Sequence, residues 1–239
     1  WKNIFIFLIL FAFVIIYFTL LKLPETHPHS DRKQISIWYV AKKLMNDKTV
    51  LSFGLIVAAC NGILFSYFAE GPFYLINALN LSINAYGMSF MLIAAASMAG
   101  GILSKRLHNH RSSKEIMTYG IFSIAIATTI FSLVAIINHS FYHIPNHIMI
   151  SLTLISQMVC SLGICMATSN ALALSLVNYR NVIGTASSLF GFFYYCLISL
   201  FTFFMGLLHN GSLLPMPLYF FALSWLMVLI NQSLLKGNE

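Results

Sequence analysis

The sequence predicts an all-α membrane protein with seven transmembrane helices. Of its 239 residues, 59% are hydrophobic and only 8% are charged, whereas a soluble domain has about 45–50% apolar and about 25% charged residues. The apolar residues are concentrated in seven runs, each long enough for the helix of about 20 residues that crosses a bilayer. This composition excludes a soluble globular domain.

The apolar runs occupy residues 4–21, 50–76, 86–104, 116–137, 148–177, 182–208 and 215–235. None alternates strictly between polar and apolar residues, as a strand of a membrane barrel does. Since backbone polar groups must be paired within the lipid, each run is predicted to be a helix. The first run is followed by no cleavage site of small residues, so it is predicted to be a span and not a signal peptide.

Basic residues lie almost entirely on one side of the predicted spans. Of the 13 Lys and Arg residues, all but Lys2 fall within 22–49, 105–114, 178–181 or the C-terminal tail. Because basic loops face the cytoplasm, we expect a multi-pass protein of the inner membrane with a cytoplasmic C-terminus. Topology then explains the net charge of +7, and no nucleic-acid partner is predicted.

The longest polar connection, residues 23–49, separates the first span from the other six. Pro24 and Pro28 are expected to end the first helix. Four apolar residues further on recur at helical spacing: Ile37, Val40, Ala41 and Leu44. They predict a short amphipathic helix, either on the inner leaflet or as a solvated linker. The predicted organisation is therefore a span at 1–22, a cytoplasmic linker at 23–49 and a six-helix domain at 50–239.

Several stretches resemble motifs of the major facilitator superfamily. Residues 22–26, Lys-Leu-Pro-Glu-Thr, resemble the signature that follows the sixth helix, and Gly101, Leu103 and Arg106 are similar to its Gly-x-Leu-x-x-Arg loop motif. Residues 170–174 and 184–191 resemble helices ten and eleven of the bicyclomycin- and chloramphenicol-resistance (Bcr/CflA) drug:proton antiporters. Ser169 and Lys105 depart from these patterns, which have a proline and an acid there.

The resemblance implies that the seven spans are helices six to twelve, that is, the last helix of the N-terminal half and the six-helix C-terminal half. With Trp1 in first place and an odd number of spans, we expect the N-terminal helices of the same protein to precede this chain. The implied function is secondary active transport: export of drugs or other amphiphilic small molecules, driven by the proton gradient without a cofactor. A proton-coupled metabolite symporter of the same superfamily is an alternative.

An integral membrane enzyme is an alternative from another class. It would require clustered His, Asp or Glu at one membrane face, but the acids other than Glu70 are scattered through loops, linker and tail. His139, His143 and His147 recur every four residues but flank Pro145, which breaks the helix that would align them. Neither an enzyme nor a metal site is therefore predicted.

Glu70 is the predicted proton or substrate site. It lies within an apolar run, roughly 30 Å along the helix from Val50, and a charge at mid-bilayer costs about 2.5–3.5 kcal/mol. A carboxylate hydrated at the outer mouth is the alternative. Tyr67 and Tyr74 are at helical spacing from Glu70 and are expected to donate hydrogen bonds to it.

Other residues within the spans complete the candidate site. Polar and aromatic side chains are candidates for the substrate cavity: Asn61, Phe65, Tyr67, Phe68, Tyr74, Gln157, Asn170, Tyr194 and Tyr195. Hydrogen bonding between helices is the alternative role for Gln157 and is also expected of Asn170. Residues suited to a hinge or to close packing of helices are Gly71, Pro72, Gly100, Gly101, Gly184, Ser188 and Gly191.

Overall fold

The computed structural model describes residues 2–24 and 36–236, which are almost entirely helical. Seven of the described helical segments are long and apolar enough to cross a membrane, as predicted. The α-helices are α1 (Lys2–Lys22), α2 (Ile37–Asn46), α3 (Lys48–Gly71), α4 (Ile83–Leu107), α5 (Ser113–Ser140), α6 (Asn146–Ser175), α7 (Ile183–Leu208) and α8 (Pro215–Lys236). A π-helix (Pro72–Ala78) continues α3, and a 3₁₀ helix (Val177–Val182) precedes α7.

The chain divides into two compact units, Trp1–Ser36 and Ile37–Glu239. The first contains α1. The second contains the short helix α2 together with the six long helices, so the compact C-terminal unit begins before the predicted boundary at residue 50. Glu25, Thr26 and Pro28, on which the signature at 22–26 and the end of the first helix partly depend, lie outside the described residues.

Several helices begin before the apolar runs because polar side chains cap their first turns. The Asp47 carboxylate accepts hydrogen bonds from the backbone N–H groups of Thr49 (3.0 Å) and Val50 (3.3 Å) at the start of α3. Ser112 and Glu115 form a reciprocal capping box at the start of α5. Such caps satisfy donors that the helix itself leaves unpaired, and hydropathy alone does not show them.

Helices α3 and α6 are at the centre of the six-helix bundle. Helix α3 packs against α6, α7 and α8, and α6 also packs against α4 and α5. A Cβ atom built at Gly120 on α5 would lie 2.6 Å from the carbonyl oxygen of Gly163 on α6. Without side chains at these positions, the two backbones approach closely, as is common between membrane helices.

Helix α2 packs on the bundle through the apolar face that its sequence predicts. Val40 and Leu44 are buried, and the helix contacts α7 and α3. The Tyr179 hydroxyl, in the 3₁₀ helix, donates to Asp47 Oδ2 at 3.0 Å, and the Lys43 ammonium lies 5.2 Å from the centre of the Tyr179 ring. Helix α2 is therefore an integral part of the second unit.

Two predictions from the sequence need correction, one on the loop motif and one on the small residues of α7. The predicted loop motif, Gly101 to Arg106, lies within the last turns of α4, where basic side chains favourably face the negative end of the helix dipole. Close packing is predicted for Gly184 and Gly191, but among the described residues no atom of another helix lies within 4 Å of a Cβ built at either position. Ser188, between them, is exposed and donates to Gly184 O of its own helix at 3.0 Å.

Candidate functional site

Glu70 forms an acid–imidazole pair with a histidine that is distant in sequence. It lies at the end of α3, is 8% exposed, and its carboxylate Oε1 is 2.5 Å from Nδ1 of His209. His209 directly follows α7. Helices α3 and α7 pack along each other, and both run away from the basic connections, so their ends meet at the opposite side of the bundle. This pairing joins two helices at the predicted outer face.

The backbone around Glu70 changes from α-helix to π-helix directly after Gly71. A Cβ built at Gly71 would lie 2.8 Å from the Tyr86 hydroxyl of α4, so glycine lets α4 approach here. Pro72 starts the π-helix, in which the Leu79 N–H bonds Tyr74 O at 3.2 Å. Proline lacks an N–H donor, and π-helical turns are frequent at functional sites.

The two tyrosines expected to bond Glu70 do not do so. Tyr67 and Tyr74 are both buried in the core, and neither hydroxyl has a hydrogen-bond partner within the described chain. The Tyr67 hydroxyl lies near Ser89 of α4, and the Tyr74 ring packs 6.0 Å from the Phe131 ring of α5. Spacing along one helix predicts a shared face, but here both rings turn towards the bundle core while the carboxylate turns towards α7.

The Glu70–His209 pair can hold or release one proton at a defined position. When both partners are charged, the hydrogen bond is charge-assisted and strong; when Glu70 is protonated, the attraction between opposite charges is lost. The His209 side chain is 37% exposed, so protons can reach the pair from solvent. The Phe73 ring lies 5.1 Å from the imidazole and covers part of it.

The aromatic candidates on α3 and α4 form a group of their own. Phe65 and Phe68 are exposed on one face of α3, with ring centres 6.1 Å apart. The Phe68 ring also lies 5.6 Å from the Phe90 ring of α4. Asn61 donates to Val57 O of its own helix at 2.9 Å. The three phenylalanine rings therefore offer an apolar aromatic surface.

Helix α6 contributes an asparagine that bonds to another helix and a buried amide nitrogen without a partner among the described residues. Asn170 donates to Ser104 Oγ of α4 at 3.0 Å, the bond across helices that its position predicts. Gln157 is buried, and its amide nitrogen has no partner among the described residues. A buried amide normally has a partner, so Gln157 stands out as a group able to bind water or a polar part of a substrate.

The two tyrosines of α7 are adjacent, and their rings are 4.7 Å apart. Tyr195 is exposed and Tyr194 is half-buried against the Phe190 ring, 5.5 Å away. Their face also carries the exposed Ser188 and Gly191, where a built Cβ would have no atom of another helix within 4 Å among the described residues. This surface is open to a partner helix, lipid or substrate.

Sequence reasoning missed His209 completely, because the residue directly follows an apolar run and looks like a loop histidine. The only indication was its place at the same predicted membrane side as Glu70. The three regularly spaced histidines fall in separate segments: His139 in α5, His143 between helices and His147 in α6. Within the described chain, no group of three His, Cys, Asp or Glu side chains is arranged to hold a metal ion.

Seven spans, two of which end at an acid–imidazole pair, define a multi-pass membrane protein. Residues 1–203 match the Major Facilitator Superfamily, and the chain belongs to that family. Its sequence is 28% identical over 229 residues to uncharacterized transporters of Rickettsia bellii and Rickettsia felis, covering 94% of this chain and 56% of each relative.

An uncharacterized MFS-type transporter of Bacillus subtilis is 23% identical over 194 residues, which are 80% of this chain and 46% of that relative. The chain thus spans about half the length of the curated relatives it matches. What these comparisons share is the transporter family, without a stated substrate.

Proposed function

We propose that this chain belongs to a proton-coupled secondary transporter that exports amphiphilic small molecules, including drugs, across the inner membrane. Glu70 is the protonatable group, His209 is its partner, and the proton gradient supplies the energy. The observation that carries the proposal is the buried carboxylate of Glu70, 8% exposed and 2.5 Å from an imidazole that solvent reaches. A protein keeps such a costly charge within a span chiefly for function.

The arrangement supports coupling because the pair joins the ends of α3 and α7. Carriers of this type bind substrate near the membrane midplane and alternate between inward- and outward-open states. Protonation of Glu70 weakens the link to His209, and deprotonation restores it, so the proton changes the relative stability of two arrangements of these helix ends. The π-helix after Gly71 supplies a segment whose hydrogen bonding can rearrange.

The resemblance of residues 170–174 and 184–191 to drug:proton antiporters favours export of apolar or amphiphilic compounds. The exposed aromatic rings of Phe65 and Phe68 and the tyrosine pair at 194 and 195 suit such substrates. No Lys or Arg lies in the sequence between 49 and 104 or between 115 and 179, so these spans offer no cation for an anionic metabolite. We assign the seven spans to helices six to twelve, that is, the last helix of the N-terminal half and the six-helix C-terminal half, with a cytoplasmic C-terminus.

The first prediction tests Glu70 in the full-length protein. Everted membrane vesicles loaded with a proton gradient are assayed for ethidium transport, and Glu70→Gln is expected to abolish gradient-driven transport because the amide cannot exchange a proton. His209→Asn keeps a hydrogen-bond donor but cannot become charged, so it is expected to lower the rate about tenfold or more and flatten its pH dependence.

Glu115→Gln is the matched control, because this carboxylate caps α5 at the basic side and is exposed. It is expected to leave transport unchanged. Unchanged ethidium transport and pH dependence in Glu70→Gln would refute the role of this carboxylate. Gradient-driven movement in the same direction as the protons, in place of exchange, would favour the symporter.

A further inference from the structure

An apolar groove lies at the basic side of the second unit, between α2, α3 and α7. Its volume is about 320 Å³, which is at the lower end for ligand pockets. Its walls are almost purely apolar and come from three helices, with Leu44 and Met45 from α2, Leu51 from α3, and Phe190, Phe193 and Cys196 from α7. A groove of this kind suits a hydrocarbon chain and offers no partner to a polar ligand.

Helical spacing places two lysines beside wall residues of this groove. Lys48 is three residues before Leu51 on α3, and Lys42 is three residues before Met45 on α2, so each is one helical turn from a wall residue on the same face. Both lysines are exposed. Lys43, the third lysine here, is instead engaged over the Tyr179 ring. The apolar groove thus has a positively charged entrance.

The outer surface of α2 matches the interfacial region of a bilayer. Trp38 is 80% exposed and Tyr39 is 67% exposed, while Val40 and Leu44 of the same helix are buried against the bundle. Exposed Trp and Tyr are typical of the lipid–water interface, where an amphipathic helix lies along the headgroups. The groove therefore opens at headgroup depth.

We propose that the groove binds an anionic phospholipid. One acyl chain lies in the groove between α2, α3 and α7, and the phosphate is held by Lys42 and Lys48. The apolar walls match an acyl chain, and the two lysines match a negatively charged headgroup. The position of α2 at the interface gives the lipid access from the leaflet. Helix α2 would then be fastened to the bundle by the lipid as well as by its own side chains.

The test uses the full-length protein in liposomes of equal phosphatidylglycerol and phosphatidylcholine with identical acyl chains. The protein is extracted into mild detergent, and retained lipids are counted by native mass spectrometry. We expect the wild type to retain phosphatidylglycerol in preference to phosphatidylcholine. Lys42→Gln with Lys48→Gln is expected to lower that preference by about 25-fold, at about fivefold for each lysine.

Two matched controls distinguish binding at this groove from general effects of surface charge and of an added apolar side chain. Lys105→Gln with Arg106→Gln removes the same charge from the end of α4 on the same membrane side and is expected to leave the preference unchanged. Cys196→Trp fills the groove from an exposed position on α7 and is expected to reduce retention of both lipids. Leu207→Trp, at an exposed position further along α7, is expected to leave retention unchanged.

Three results would overturn the proposal. The first is equal retention of both lipids by the wild type. The second is an equal effect of the two charge variants. The third is either absence of bound lipid from the wild type, which would leave the groove to a protein segment, or lipid retention that Cys196→Trp leaves unchanged, which would place the bound lipid elsewhere. Thermal unfolding of each variant is measured in parallel, so that loss of lipid binding can be distinguished from loss of folding.

Discussion

Single glycines determine how closely the helices of the bundle approach. Gly163 on α6 faces α5, and a Cβ built there would lie 2.7 Å from Gly120 O and also collide with the Ser123 hydroxyl. Because backbone atoms cannot yield as a flexible side chain can, Gly163→Ala is expected to destabilise the protein by about 1–3 kcal/mol. The measurement is the midpoint of thermal unfolding in detergent, which is expected to fall.

Gly191→Ala is the control for this prediction at the residue scale. Its Cβ would meet no described atom within 4 Å, and alanine is favoured over glycine inside a helix by about 0.5–1 kcal/mol. The midpoint of thermal unfolding is therefore expected to be unchanged or slightly higher. An equal fall in both variants would show that helix conformation in general, and not contact between α5 and α6, controls stability.

At the scale of the elements, the Tyr179 hydroxyl links the 3₁₀ helix to the end of α2 and the start of α3, and it lies 3.5 Å from the Lys43 carbonyl oxygen of α2. The Tyr179 hydroxyl donates to Asp47 Oδ2 at 3.0 Å, and the Asp47 carboxylate also caps α3. Tyr179→Phe removes the hydroxyl and keeps the ring beneath Lys43. Since a hydrogen bond to a charged group contributes about 1.5 kcal/mol or more, amide hydrogen exchange in residues 37–46 is expected to accelerate about tenfold.

Tyr119→Phe is the matched variant, because Tyr119 is exposed on α5. In Tyr119→Phe, amide hydrogen exchange in residues 37–46 is expected to be unchanged. Unchanged exchange in Tyr179→Phe would mean that the apolar contacts of Val40 and Leu44 alone hold α2.

The long helices could be predicted from sequence because a helix that crosses a bilayer needs an apolar run of about 20 residues. All seven predicted apolar runs are helices, and the differences lie at their ends. The run at 50–76 is one span in which the helix type changes after Gly71. The Gly-Pro pair predicts a hinge there, but the close approach of the Tyr86 hydroxyl to Gly71 comes from another helix and cannot be predicted from spacing within one helix.

The candidate site could be predicted only in part, since one sequence shows periodicity within a helix but not pairing between helices. Glu70 was identifiable because a lone carboxylate in an apolar run is costly. Its partner His209 is 139 residues away, and the pair forms only because α3 and α7 pack along each other. For the same reason, the side chains of Tyr67 and Tyr74 could not be assigned to the core from spacing alone.

At the scale of the whole molecule, the distribution of charge predicts which ends of the spans face the cytoplasm. Helix α5 crosses once between the connection that contains His110 and the one that contains His143. The first connection lies beside Lys105, Arg106 and Arg111, whereas the second contains no Lys or Arg. Positively charged loops stay on the cytoplasmic side, so the two histidines are predicted to face opposite compartments.

Cysteine labelling tests this topology in the full-length protein after replacement of its native cysteines. His110→Cys and His143→Cys both substitute an exposed residue, which makes them a matched pair. In spheroplasts, a membrane-impermeant maleimide is expected to label His143→Cys at once and His110→Cys only after permeabilisation. The reverse pattern would place Glu70 and His209 at the cytoplasmic face and would invert the direction from which protons reach the pair.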